Sequence, residues 1–121
     1  MKVLICDDDP MTIRAMEYQF RKDGFEVIKT VNGREATKIL DTNEDIDLLI
    51  VDIHMPMMSG FELVTYVRDT LQRKMPIIVV SKVNSKDSID EAMDLGANAY
   101  LTKPLNLEEL SNKIKEVLKI N

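Results

Sequence analysis

The run DLLIV, residues 47–51, holds four apolar residues in succession, and an acid, Asp52, stands directly after it. A strand with one face in water alternates polar and apolar residues. A strand covered by helices on both faces, as in a parallel sheet, reads as an unbroken apolar run. KVLIC (2–6) and PIIVV (76–80) read the same way, and FEVIK (25–29) and AYLT (99–102) complete five candidate strands. Between and after them the apolar positions recur at helical spacing: Ile13, Met16 and Phe20; Val64, Val67 and Leu71; Leu107, Leu110, Ile114 and Leu118. These stripes are core faces. The chain therefore reads as five βα units, an α/β domain spanning residues 1–121 with a parallel sheet between two helical layers.

Punctuation supports the helices. Asp9 followed by Pro10 predicts an N-cap and a first-turn proline. NGRE (32–35), SGFE (59–62) and NLEE (106–109) resemble capping boxes, with Ser59 and Asn106 as N-caps. Gly24 and Gly96 fall where the first and fourth helices should end.

At 121 residues the chain has the size of one domain, and 45% apolar with 31% charged residues is the balance of an ordinary globular protein. No apolar run reaches the roughly 18–20 residues of a membrane span, and Met1 leads straight into a strand with no signal-peptide pattern. A cytoplasmic location is the expectation. The formal net charge of −5 argues against binding nucleic acid or an anionic membrane surface by this domain alone. Cys6 is the single cysteine and is expected to be a small buried hydrophobe; with one histidine in the chain it cannot build a Cys/His zinc site.

The polar residues after the strands form the second pattern. Asp7 and Asp8 follow the first strand, Asp52 the third, Ser81 the fourth and Lys103 the fifth. In an open parallel sheet the carboxyl ends of the strands share one edge, where such folds place their sites. Converging acids repel unless a cation lies among them, and an all-oxygen donor set points to Mg²⁺, with Mn²⁺ as the alternative. Lys103 adds a positive charge that can pair with Asp52 or steer an anion. Asp9, the third acid of the run Asp7-Asp8-Asp9, is accounted for as the cap of the first helix.

LICDDDP, LLIVDIHMPMMSGFEL, IIVVS and AYLTKPL resemble the CheY-like receiver domain of two-component response regulators across nearly the whole chain. The resemblance implies the flavodoxin-like doubly wound sheet in the order 2-1-3-4-5, an arrangement for which this family is a standard illustration. It implies phosphoryl transfer from a sensor histidine kinase or histidine phosphotransfer protein onto Asp52. Asp8 would be a direct Mg²⁺ ligand, Asp7 an orienting acid acting partly through water, and the His54 backbone carbonyl a further ligand. Ser81 and Lys103 would contact the phosphoryl oxygens, and Tyr100 would be the aromatic that turns with Ser81 on phosphorylation. The product would be a signalling module that catalyses its own phosphorylation and dephosphorylation and is not a turnover enzyme. Its output face would be the fourth helix, fifth strand and fifth helix, read by a downstream protein or a linked output domain. The Lys103-Pro104 bond is expected to be cis.

Residue chemistry agrees with those roles. Phosphoryl transfer depends on positioning and on neutralising the equatorial oxygens, which a cation, an ammonium, a hydroxyl and backbone amides supply. A carboxylate nucleophile needs no general base, so the His54 ring is expected to face solvent while its carbonyl does the work. A Mg²⁺-dependent phosphohydrolase using an aspartyl phosphate is the alternative, but haloacid-dehalogenase-type enzymes place a second acid where His54 stands. A flavodoxin-type cofactor site would offer hydroxyls and amides after the first strand, not three carboxylates. The sequence contains neither G-x-x-x-x-G-K-[ST] nor G-x-G-x-x-G. Two positions depart from the family pattern: Lys82 where a small residue is usual, and Leu105 where phenylalanine is frequent.

Overall fold

The computed structural model describes residues 1–120. Its elements run β1 (Lys2–Cys6), α1 (Pro10–Lys22), β2 (Glu26–Thr30), α2 (Gly33–Thr42), β3 (Leu48–Asp52), α3 (Gly60–Thr65), β4 (Ile77–Ser81), α4 (Lys86–Leu95), β5 (Ala99–Thr102) and α5 (Leu107–Leu118). The five strands are all parallel, in the order β2-β1-β3-β4-β5. The doubly wound architecture is as the sequence predicts, with β2, β3 and β4 each displaced one residue toward the C-terminus.

The unbroken apolar runs are explained by two cores, one on each face of the sheet. Val3, Ile5, Leu48, Ile50, Ile78 and Val80 point to the face covered by α1 and α5, where they meet Ile13, Met16, Phe20, Leu110 and Ile114. Leu4, Cys6, Leu49, Val51, Ile77 and Val79 point to the opposite face and meet Ala36, Leu40, Leu63, Val64, Val67 and Ala92 of the other helices. Successive residues of one strand thus enter different cores, so neither set can be polar. Cys6 is fully buried and burial pushes its thiol up to about 12. Among the described residues no helix is long and apolar enough to cross a membrane.

Helix starts follow the rules read from the sequence. Asp9 accepts from the Met11 N–H with Pro10 in the first turn, and Asn32, Ser59 and Asn106 accept from the N–H of Glu35, Glu62 and Glu109. Gly96 ends α4 in the left-handed region at φ 116°, and Gly24 follows α1 at φ 90°. Beyond α3 the chain continues as a π-helical turn, Tyr66–Thr70. From it the Arg68 guanidinium donates to the carbonyls of Gly96 and Arg73 and to Asn98 Oδ1, tying this turn to the start of β5.

The loop after β3 contains the one strained residue near the sheet edge: Met57, well exposed, has φ 72°. The Met58 N–H donates to the Pro56 carbonyl at 2.8 Å, closing a γ-turn with Met57 at its centre, a strained conformation for a residue that carries a Cβ. Met57→Gly is expected to stabilise the fold by about 0.5–1 kcal/mol in urea denaturation, because glycine reaches φ above zero at no steric cost. A lowered midpoint would show that the loop needs the methionine for contacts.

Candidate functional site

Register brings the polar residues together. Cys6 pairs with Val51, so Asp7 lies level with Asp52; Asp52 pairs with Val80, and Ser81 with Thr102, which places Ser81 and Lys103 one step further along the same edge. The tight return into α3 completes the frame. The Gly60 N–H donates to the Ile53 carbonyl at 2.7 Å, and a Cβ on Gly60 would sit 2.3 Å from the Asp52 carbonyl oxygen. Only glycine lets α3 start this close to the end of β3.

Carboxylate oxygens of Asp7, Asp8 and Asp52 lie within 4.8 Å of one another. Asp7 and Asp52 are buried, at 1% and 6% exposure, while Asp8 is exposed. Lys103 serves both buried acids, its Nζ lying 2.9 Å from Asp7 Oδ2 and 2.8 Å from Asp52 Oδ2. The sequence reading named only Asp52 as a partner of the lysine; the second is Asp7.

The hydrogen bonds divide the acids by what they have left to offer. Asp7 Oδ1 accepts from the Asp9 N–H at 2.9 Å, but its buried Oδ2 has no hydrogen bond and only the charge contact with Lys103. Asp52 Oδ1 accepts from the His54 N–H at 3.2 Å. Asp8 makes no hydrogen bond or ion pair among the described residues, so its carboxylate is free. Burial holds the Asp7 carboxyl above its usual range despite the Asp9 N–H and Lys103. Burial also pulls on the Lys103 ammonium, but Asp52 and Asp7 outweigh it and leave its pKa raised.

Three carboxylates against one ammonium leave a net charge of −2 at the edge, which a divalent cation would neutralise. The donor set is entirely hard oxygen, and it includes the free Asp8 carboxylate and the buried Asp7 Oδ2, which accepts no hydrogen bond. These residues fit Mg²⁺, and Mn²⁺ as its closest substitute.

Asp8, Asp9, Asp52, His54, Lys82 and Lys103 line an open cleft of about 240 Å³ over the cluster. His54 is exposed at its rim, as expected. Ser81 is fully buried; its Oγ accepts from the Val83 N–H at 3.1 Å, leaving the hydroxyl proton to donate. The Tyr100 hydroxyl, on half-buried β5, donates to the Val83 carbonyl. Ser81 and Tyr100 therefore meet through one residue of the β4–α4 loop, a connection that neither the strand pattern nor any motif signals. The Lys103-Pro104 bond is cis.

The chain matches the response regulator receiver domain family over residues 3–115. The two-component response regulator ORR22 of rice (Oryza sativa subsp. japonica) is 36% identical over 120 residues, an alignment covering 98% of this chain and 17% of the rice protein. Chemotaxis protein CheY1 of Helicobacter pylori is 35% identical over 123 residues, covering 100% of this chain and 99% of that protein. Among solved structures, a two-component response regulator from Clostridium difficile superposes with a TM-score of 0.92 at 29% identity, covering 98% of this chain and 96% of that one. The chain thus spans a small part of the plant regulator and nearly all of the chemotaxis protein.

Proposed function

This chain belongs to the response regulator receiver family of two-component signalling, and from that premise we propose that Asp52 accepts a phosphoryl group from a histidine kinase or histidine phosphotransfer protein. The observation that carries this reading is the placement of Asp52: its carboxylate lies on the floor of the cleft, against Lys103 and beside two further acids. In the transfer, one Asp52 carboxylate oxygen bonds to phosphorus as the donor's P–N bond breaks and the electron pair leaves with the imidazole. Lys103, already 2.8 Å from Asp52, is in place to take a phosphoryl oxygen, and Ser81 has its hydroxyl proton to give to another. Asp8, Asp7, Asp52 and the His54 carbonyl would hold Mg²⁺, which when bound supplies charge neutralisation on the phosphoryl oxygens.

The proposed readout runs from Ser81 through the β4–α4 loop. A phosphoryl oxygen that draws Ser81 toward it loosens the Val83 N–H contact, and the Val83 carbonyl is what holds Tyr100. The helix behind that loop is lightly anchored, because Ala92 is the only fully buried residue of α4. Such an element shifts at small cost. The surface formed by α4, β5 and α5 is accordingly the proposed output face, read by a downstream protein or a linked output domain. Phosphorylation would bias a pre-existing equilibrium by its differential contacts, typically about 1–3 kcal/mol of coupling.

Intact-mass measurement after acetyl phosphate and Mg²⁺ tests the assignment. Wild type should gain one phosphoryl group and Asp52→Asn none, with chelator abolishing the gain. Equal labelling of the variant would remove Asp52 from this role.

A further inference from the structure

We infer that Lys82 guards the cleft and lengthens the lifetime of the phosphorylated state, by occupying the approach to Asp52 instead of by lending its charge to the reaction. The inference rests on the aspartyl-phosphate reading above and adds a residue to it that contacts no group of the cluster. Lys82 directly follows buried Ser81, is exposed, and lines the cleft together with Asp8, Asp9, Asp52, His54 and Lys103. It also lines the neighbouring, mostly apolar groove of about 380 Å³ formed by Asp9, Met11, Thr12, Ala15, Lys103, Pro104 and Leu105. The lysine therefore stands on the ridge between the two hollows. Its ammonium has no carboxylate within ion-pair distance among the described residues, so no partner holds it to one side. Attraction toward the acids across the mouth favours poses over the opening.

Two effects of opposite sign follow. In hydrolysis a water oxygen bonds to phosphorus as the Asp52 Oδ–P bond breaks, the electron pair returns to the carboxylate, and the water proton leaves with phosphate or solvent. A small donor enters by the same mouth. A cation there lowers the cost of charge on the phosphoryl group, but a mobile, solvated lysine is screened and its ion pairs change equilibria by fivefold at most, roughly. Obstruction of a required approach geometry changes rates by up to roughly 10²-fold. The steric effect is the larger, and it acts on entry of both water and donor.

The discriminating set is Lys82→Ala, which removes bulk and charge, and Lys82→Met, which keeps most of the bulk and removes the charge. Stopped-flow phosphorylation by acetyl phosphate and phosphate release after donor removal should both be faster in the alanine variant, by between a few-fold and roughly 10²-fold. The methionine variant should stay close to wild type. Calorimetric Mg²⁺ titration of the unphosphorylated proteins should give affinities within about fivefold of one another, the range of a screened charge. Slower chemistry in both variants would show that the charge assists, and equal rates in all three would show that Lys82 is a bystander; either overturns the inference while leaving Asp52 as acceptor. Failure of wild type to take up phosphoryl at all would overturn the proposed function and this inference together. A Mg²⁺ affinity altered beyond the stated range would place Lys82 in cation binding and also overturn it.

Discussion

Lys103→Met should cost the metal-free protein about 3–5 kcal/mol of folding stability, the range for breaking a buried ion pair by removing one partner. The substitution keeps most of the side-chain volume, so the loss is electrostatic. Asp7 and Asp52 remain buried on removal of the only cation that touches them among the described residues, with Asp8 close by. The pH dependence gives the argument its sign. Asp7 already has its folded pKa above the ordinary value because of burial, so its protonated form favours the fold. Without Lys103 that pKa rises further. Stability is then recovered as pH falls through the raised folded value and is complete below the unfolded one. In wild type the contribution of Lys103 has the opposite reach: its folded pKa is raised, so the contribution is fully present below its unfolded pKa and lost only as pH climbs through the folded one. Urea denaturation between neutral pH and pH 5 should therefore show the deficit of the variant shrinking on acidification. A deficit below about 1 kcal/mol, the level of an exposed pair, or one that grows on acidification, would show that the cluster does not depend on the lysine.

That dependence also shows which features of the site are written locally. Strand ends were legible because apolar runs stop where the chain leaves the sheet, and the acids and Lys103 follow those stops directly. The one-residue displacement of β3 and β4 has a plain cause: the ladder includes Asp52 paired with Val80 and Ser81 paired with Thr102, and backbone pairing takes no account of side-chain polarity. The caps at Asp9, Asn32, Ser59 and Asn106 were legible because each depends on residues two or three places away. The cap at Ser85 was not, since the residue three places on is Ser88 and the capping-box pattern of Glu or Gln is missing. The π-helical turn held by Arg68, the sharing of Lys103 between two acids, and the Ser81–Val83–Tyr100 connection depend on contacts between distant segments. No periodicity within one segment encodes them.

The cost of gathering three acids makes cation binding a stability effect as well as a functional one. A ligand bound only by the folded state stabilises it by RT ln(1 + [L]/Kd), about 2.7 kcal/mol at a hundredfold excess over Kd. Mg²⁺ at that ratio should raise the unfolding free energy of wild type by this amount. How the increment divides among the acids follows from their free capacity. Asp8 is exposed and otherwise unbonded, so it has a whole carboxylate to give; Asp7 is committed at Oδ1 to Asp9 and at Oδ2 to the charge of Lys103. Asp8→Ala should therefore remove most of the increment at the same Mg²⁺ concentration, and Asp7→Ala a smaller part. The two variants should also differ without metal. Removing the exposed Asp8 relieves repulsion at little other cost, whereas Asp7→Ala deletes a buried acceptor of the Asp9 N–H and of Lys103, so its relief of repulsion is offset. Denaturation with and without Mg²⁺ measures all four quantities. A larger loss of the Mg²⁺ increment in Asp7→Ala than in Asp8→Ala would exchange the roles of the two acids, with the buried carboxylate as the principal ligand.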